Sequence, residues 1–511
     1  MSLLGLDLGG SGFKAIVFDN TGRALASETV PWSILYPSPT KMELDAVAHW
    51  PDMFDALKRL ASSPTVNADP VEALAISGAG EALIPIGRDG TPLHNIIATP
   101  DPRGTQQLRR LVQHISPELI YQITGQPADH KYCLLRALWF RENMPDLFSK
   151  VWKFLCLEDW FLFQLGMTPV FNHILAARTL AFDLMQRNWS REILDWADLD
   201  KDYFSIPVAP GTLIGPLPER VLREIGFRKQ LAIVAGGMDQ YCAALGAGVA
   251  DETDAMVNTG SVEAVGVCTP RPMLGKDMLD GHFASFRYVQ PDKFLVTGNC
   301  FTVGSLLTWH TKVFSFAEAE GAAEQGEDLF VRSIKAMPSK PTNIFVLPHF
   351  SGAYSPNRDP LSKGAILGLS LTTRTSDMTR AILEGTAYEL RTILTYLSDR
   401  GIQPIKITAV GGGATSPEWL QVKADILNRP VQSPRVKHAS ALGAAMLAGL
   451  GIGTFSSLAE AKKSMVHIEE EYTPNPEKAE AYHKRYDIYR NVYPALRQIH
   501  AAITEIEASI D

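Results

Sequence analysis

The sequence predicts an α/β protein built as two similar halves, and three observations predict it. Ala255-Met-Val-Asn-Thr-Gly-Ser-Val-Glu-Ala-Val-Gly-Val-Cys268 repeats the layout of the opening segment: an apolar run, a Gly/Ser/Thr turn and a second apolar run. Val71 to Ser77 runs into Gly78-Ala79-Gly80, and Ile405 to Val410 runs into Gly411-Gly412-Gly413, so each half carries a strand feeding a glycine-rich turn. Helical periodicity fills the intervals, around Leu134 to Glu142, Met378 to Tyr396 and Glu418 to Leu427, and strands alternating with helices of this length indicate α/β architecture. The 511 residues also exceed one ordinary core, at roughly 150 residues per domain.

In chain order, Leu3 to Leu8 and Phe13 to Phe18 are short apolar runs joined by Gly9-Gly10-Ser11-Gly12, and Asp19-Asn20-Thr21-Gly22 turns into Arg23 to Val30, which reads as a three-stranded meander. Glycines give way to the charged cluster Asp251-Glu252-Asp254, so the boundary falls at 246–254 and divides the chain into residues 1–248 and 249–511. The uncharged stretch Ala439 to Ala459 has spanning length but is small rather than greasy, and a buried helix ending at glycines is expected there, with no membrane segment. Beyond Pro474 and Pro476, Tyr482, Tyr486, Tyr489 and Tyr493 are spaced four, three and four, a packing stripe on one helix.

Composition narrows the function. With 48 Lys plus Arg against 56 Asp plus Glu, the net charge of -8 offers no electrostatic footprint for nucleic acid or anionic lipid. Hydrophobic residues at 46% with 20% charged describe a soluble globular chain. Five cysteines, none in a C-x-x-C pair, imply neither a disulfide framework nor a thiolate zinc site, and none of the 12 histidines forms an H-E-x-x-H pair. An N-terminus with Asp7 inside its early apolar run and no basic leader fits a cytoplasmic protein. Trp50, Trp139, Trp152, Trp160, Trp189 and Trp196 are expected to pack in the core.

Two segments carry candidate chemistry. In Asp7-Leu-Gly-Gly-Ser-Gly-Phe-Lys14 the glycines let backbone N–H groups approach a polyanion, Lys14 adds positive charge and Asp7 is placed to hold a hydrated metal; a plain hairpin turn is the alternative. In Leu231-Ala-Ile-Val-Ala-Gly-Gly-Met-Asp239-Gln240 an apolar strand delivers an acid to the start of the Tyr241 to Leu245 helix, where it acts in chemistry or caps the helix. Glycine turns at Thr259-Gly260-Ser261 and Gly411-Gly412-Gly413-Ala414 allow several strand ends to converge on one nucleotide.

These segments resemble the FGGY family of carbohydrate kinases, within the actin-like (ribonuclease H-like) ATPase superfold. The most specific match is Gly364-Ala-Ile-Leu-Gly-Leu369, seven residues, then Asp377-Met-Thr-Arg-Ala-Ile-Leu-Glu384, which follows the family's C-terminal signature. Gly237-Met-Asp239-Gln240, Pro348-His-Phe-Ser-Gly352, Gly411 to Asp425 and Asn188-Trp-Ser190 extend the resemblance over nearly the whole chain. It implies two duplicated actin-like domains around an interdomain cleft, with Mg-ATP held mainly by the second and a small sugar mainly by the first. Asp239 is then the base for the attacking sugar hydroxyl with Gln240 beside it, and Asp7 and Asp239 hold magnesium through water. Gly10, Ser11, Lys14, Thr259, Gly260 and Ser261 take the phosphates, while Gly412, Gly413 and Ala414 line the adenosine.

The departures lie in the sugar half. Xylulose kinases typically read Gln-Met-His-Gly where this chain has Ala79-Gly80-Glu81-Ala82, and the Glu resembles glycerol kinases. The usual Trp-x-Asp-x-Arg appears as Thr99-Pro100-Asp101-Pro102-Arg103, and the usual Pro-Lys pair as Leu135-Arg136. Glu81, Asp101 and Arg103 are therefore the expected sugar contacts, against loop-acid and turn readings for Glu81 and Asp101. D-xylulose is the expected acceptor, with glycerol or another sugar as the alternative, and a non-kinase actin-like ATPase or a sugar-binding regulator as the rivals of another class. A homodimer is the candidate assembly.

Overall fold

The computed structural model describes every residue except 11, 100, 315–328 and 509–511. Two twisted sheets organise it. In the first, Ser2–Gly9, Gly12–Asp19 and Ala24–Pro31 form the antiparallel meander, and the other side of Ser2–Gly9 pairs in parallel with Val71–Gly78. Ala232–Met238 adds a further parallel strand, and Leu213–Pro216 closes the edge antiparallel. The second sheet repeats this plan. Asp254–Thr259 pairs antiparallel with Glu263–Thr269, which pairs with Phe294–Cys300, while Lys406–Val410 and Val431–Pro434 run parallel on the other side. Ile468–Tyr472 is its antiparallel edge and Ala284–Arg287 an extra strand beyond Phe294–Cys300. The duplication expected from two similar openings is thus present strand by strand, in two α/β halves.

The apolar central strands are buried on both faces, as sheets covered by helices on both sides must be. The predicted helices are present as Cys133–Asn143, Thr375–Ser398 and Pro417–Leu427. Ala439–Gly451 is the small-residue helix, and its uncharged composition lets it lie against the first half. A Cβ on Gly443 would stand 1.9 Å from Cys242 O and one on Gly246 would stand 2.0 Å from Ala439 O, so Ala439–Gly451 and Asp239–Gly246 cross in backbone contact. No helix among the described residues is long and apolar enough to cross a membrane.

The tyrosine stripe is divided between two helices rather than carried by one. Tyr482, Tyr486 and Tyr489 lie buried on Pro476–Tyr489, while Tyr493 belongs to Val492–Ala508. Its partners come from Thr375–Ser398: Tyr482 Oη donates to Glu384 Oε1 at 2.7 Å and Tyr489 Oη to Glu389 Oε1 at 2.6 Å. Glu384 also accepts from Arg380 at 2.8 Å, a buried pair that braces the second half. The most recognisable sequence segment therefore ends in a structural clamp.

Candidate active site

Two cavities lie on either side of one turn. The first, about 750 Å³, opens between the halves; its wall includes Gly10, Glu81, Arg178 and Asp239 from the first half and Asn299 and Tyr354 from the second. The other, about 700 Å³, lies in the second half and is walled by Gly260, Ser261, Gly412, Gly413 and Trp419 among others. The turn between Asp254–Thr259 and Glu263–Thr269 separates them: Gly260 and Ser261 face the second cavity, and Val262 faces the cleft.

Asp239 reaches the cleft because Ala232–Met238 ends in glycines that allow close packing. A Cβ on Gly236 would stand 1.7 Å from Ile76 O. The helix begins at Asp239 itself, with Met238 as its cap residue, so Asp239 is the first helical residue and its Oδ1 accepts the Gln240 N–H at 2.6 Å. Burial raises its pKa, against the lowering pull of that N–H and of the Arg178 charge. Gln240 Oε1 accepts from Asn258 Nδ2 at 3.1 Å and so ties the helix start to the second half.

Asp7 sits on Ser2–Gly9, one strand beyond Val71–Gly78, whose Ser77 Oγ donates to its Oδ1 at 2.9 Å. Burial and the charge of Asp239 push its pKa up to about 6, while Ser77 and Lys14 pull it down. Two carboxylates that repel each other beside a glycine turn suit a hydrated divalent cation, which would relieve that repulsion. The raised pKa gives a test. A carboxyl that ionises with difficulty in the fold binds more protons folded than unfolded between pH 4 and 6, so its stability contribution is greatest below about pH 4 and is lost as pH rises to about 6. Asp7→Asn should therefore raise the melting temperature of the ligand-free protein at pH 7 and lose that advantage by pH 4. A difference independent of pH would exclude the electrostatic origin.

The Gly9 to Gly12 turn opens on the cleft. Gly10 is exposed, and a Cβ there would meet nothing within 4 Å, so its backbone is open to a ligand. Trp32 Nε1 donates to Gly10 O at 3.2 Å and holds the turn from behind. Lys14 Nζ lies 3.1 Å from His438 Nδ1 at the start of Ala439–Gly451. Ser11 lies outside the described residues. In the second half, Thr259 turns its hydroxyl inward: it donates to Glu263 at 2.7 Å, and buried Lys423 donates to both. Gly260 and Ser261 are left to face the ligand space. A Cβ on Gly413 would meet Thr259 Cγ2 at 2.4 Å, and Gly411 holds φ at +82°, so this turn requires its glycines. Ala414 is buried behind the wall that Gly412 and Gly413 present.

Glu81 is not a solvated loop acid. It is 3% exposed, holds φ at +63°, and pairs with Arg178. Asp101 and Arg103, by contrast, satisfy each other away from the cavity wall. Asp101 accepts from Met42 N at 2.7 Å and from Arg103 Nε and Nη2 at 2.8 and 2.7 Å, and Arg103 Nη1 donates to Glu43 at 2.8 Å. This knot holds Lys41–Leu44, whose Met42 and Leu44 do line the cleft.

Sequence reasoning passed over Arg178 and Asp129. Arg178 Nη1 donates to Gln126 Oε1 at 2.9 Å, and its guanidinium lies over the Tyr132 ring at 4.9 Å; burial lowers its pKa to about 10. A single Arg within the uncharged run 174–182 was the available signal, because a buried charge needs a partner. Asp129 joins the halves across the cleft: Tyr354 Oη donates to it at 3.1 Å, with Arg358 at 3.5 Å. Burial alone would raise its pKa, but His130, Lys131 and Arg358 outweigh it and hold the carboxyl well below the usual range.

Comparison with known proteins bears on this arrangement. A xylulose kinase of Staphylococcus xylosus is 24% identical over 490 residues, 96% of this chain and 99% of its own length. The structure of a gluconate kinase from Lactobacillus acidophilus matches with a TM-score of 0.86 at 23% identity, over 98% of this chain and 99% of that one. That of a Plasmodium falciparum glycerol kinase with ADP matches with a TM-score of 0.83 at 19% identity, over 96% of this chain and 98% of that one. Residues 2–246 match the N-terminal domain of the FGGY family of carbohydrate kinases and residues 255–452 its C-terminal domain, so the chain belongs to that family.

Proposed function

We propose that this carbohydrate kinase transfers the γ-phosphate of ATP to a hydroxyl of a small ketose, D-xylulose being the leading acceptor. The observation that supports the reading is the shared turn at Gly260 to Val262, with a cavity of the second half on one side of it and the cleft walled by Asp239 on the other. Residues 1–248 supply most of the acceptor site and 249–511 most of the nucleotide site.

Asp239 accepts the proton of the attacking hydroxyl, and its raised pKa makes it a stronger base than an ordinary carboxylate. Glu81 accepts hydrogen bonds from other sugar hydroxyls, Gln240 donates or accepts there, and Arg178 fixes the Glu81 carboxylate in place. The open backbone at Gly10, with Lys14 and the Gly260–Ser261 turn, embraces the phosphates, while Gly412 and Gly413 lie along the nucleoside. Magnesium arriving with ATP neutralises phosphate charge, and Asp7 and Asp239 are the residues that would hold its water shell. Five buried free cysteines suit a reducing cytoplasm.

The xylulose preference rests on the curated relative above; the carboxylate of Glu81 favours glycerol or another polyol as the second reading. A coupled assay for ADP over pentuloses, hexuloses, aldonates, polyols and glycerol tests both. The reading expects xylulose to give the highest kcat/KM, and a tenfold or greater preference for glycerol would select the second.

A further inference from the structure

Arg136 stands on the helix Cys133–Asn143 with 0% exposure, yet none of its five hydrogen bonds goes to a carboxylate. Nη1 donates to the carbonyls of Glu81 and Ile97, the latter at 3.1 Å. Nη2 donates to the carbonyls of Ala98 and Thr99 at 2.8 Å each and of Asp101 at 3.3 Å. Nε has no partner among the described residues. Burying a guanidinium without a directly bonded carboxylate is a costly way to stabilise a fold, and burial here lowers its pKa to about 10, the nearby Asp101 charge offsetting only part of it.

What the arrangement does is hold together two neighbouring segments of one cleft wall. Glu81, Ala82, Ile96, Ala98 and Thr99 all line the cavity, and the two segments pair antiparallel at Leu83 and Ile97. Glu81 is held in a left-handed conformation unfavourable to a non-glycine residue, and its carbonyl is one of the groups that Arg136 grips. Thr99 Oγ1 makes a second tie between the same two segments, donating to Gly80 O at 2.8 Å. A lysine offers three donors on one atom and cannot span both segments in this way, whereas a planar guanidinium does.

We propose that Arg136 is a positioning residue that fixes the shape of the acceptor-site wall, and with it the selectivity among acceptors. This rests on the kinase reading above. Arg136 lies behind the wall and touches no substrate; it acts through the backbone carbonyls of Glu81, Ile97, Ala98, Thr99 and Asp101.

The test is Arg136→Lys in the full chain, with Michaelis constants for ATP and for the best acceptor, and kcat/KM for acceptors one carbon shorter and longer. We expect the acceptor KM to rise about tenfold, the ATP KM and kcat to stay within about threefold, and discrimination between acceptors to fall about tenfold, the scale of one methylene in a fitted pocket. Unchanged selectivity, or acceptor and ATP constants rising together, would overturn the proposal and leave Arg136 as a fold brace. Thr99→Val, which removes the second tie, is expected to relax selectivity in the same direction by a smaller factor. Should Arg136→Lys not fold, wild-type selectivity in Thr99→Val overturns the proposal. If the wild-type enzyme phosphorylates no acceptor, the kinase reading itself fails, a result distinct from either.

Discussion

Asp239→Asn is expected to lower the rate of transfer by at least about 100-fold, the scale of a lost general base, while ATP binding stays within about twofold. Asparagine keeps the size of the side chain and an oxygen that can accept the Gln240 N–H, so the helix start survives and only the proton acceptor is lost. The pH profile carries the same information. Asp239 is raised by burial and Asp7 to about 6, and both act ionised, so kcat/KM should fall as pH drops through about 6. In Asp7→Asn the part of that limb owed to Asp7 should be lost. A variant at position 239 with activity within a few-fold of wild type would remove the base from the mechanism.

Glu81→Ala is expected to raise the acceptor KM by about 10 to 100-fold with the ATP KM within twofold. Two costs add: substrate hydroxyls lose an acceptor in a closed site, about 1 to 3 kcal/mol, and Arg178 is left buried without its carboxylate. The second cost also lowers stability, so melting temperature must be followed alongside. Glu81→Ala combined with Arg178→Met separates them: the double variant should recover stability and not recover acceptor binding. Recovery of both would make Glu81 only the partner of Arg178. Glu81→His, which installs the residue typical of xylulose kinases, should improve xylulose turnover only if the rest of the pocket already fits a pentulose.

The parts of this architecture legible in the sequence are those governed by short-range rules. Gly9 to Gly12, Thr259 to Ser261 and Gly411 to Gly413 announce strand ends because glycine-rich turns punctuate strands, with glycine itself required at Gly12, Gly411 and Gly413, and each turn follows the end of a strand. Asp239 was legible because an acid after an apolar strand and paired glycines is out of place in a core. Asp101 and Arg103 were expected at the sugar; two residues apart, they satisfy one another and Glu43 instead, and spacing alone does not tell a self-contained ion pair from a ligand contact. Arg178 meets Glu81 across 97 residues, and Tyr354 meets Asp129 across 225, separations at which no local pattern signals the partner. Arg136 drew notice only as a replacement in a motif, and its five carbonyl partners follow from a loop conformation that no propensity predicts.

The central claim is that this cleft joins a phosphate to a sugar, and mass-spectrometric stoichiometry in single-turnover reactions tests it most directly. Wild-type enzyme incubated with Mg-ATP and xylulose is predicted to form one sugar phosphate for each ADP, and Asp239→Asn to form neither at a comparable rate. ADP released at the same rate without a sugar, or with no phosphorylated sugar from any member of the acceptor panel, would contradict the account and mark the chain as an ATPase that transfers phosphate only to water.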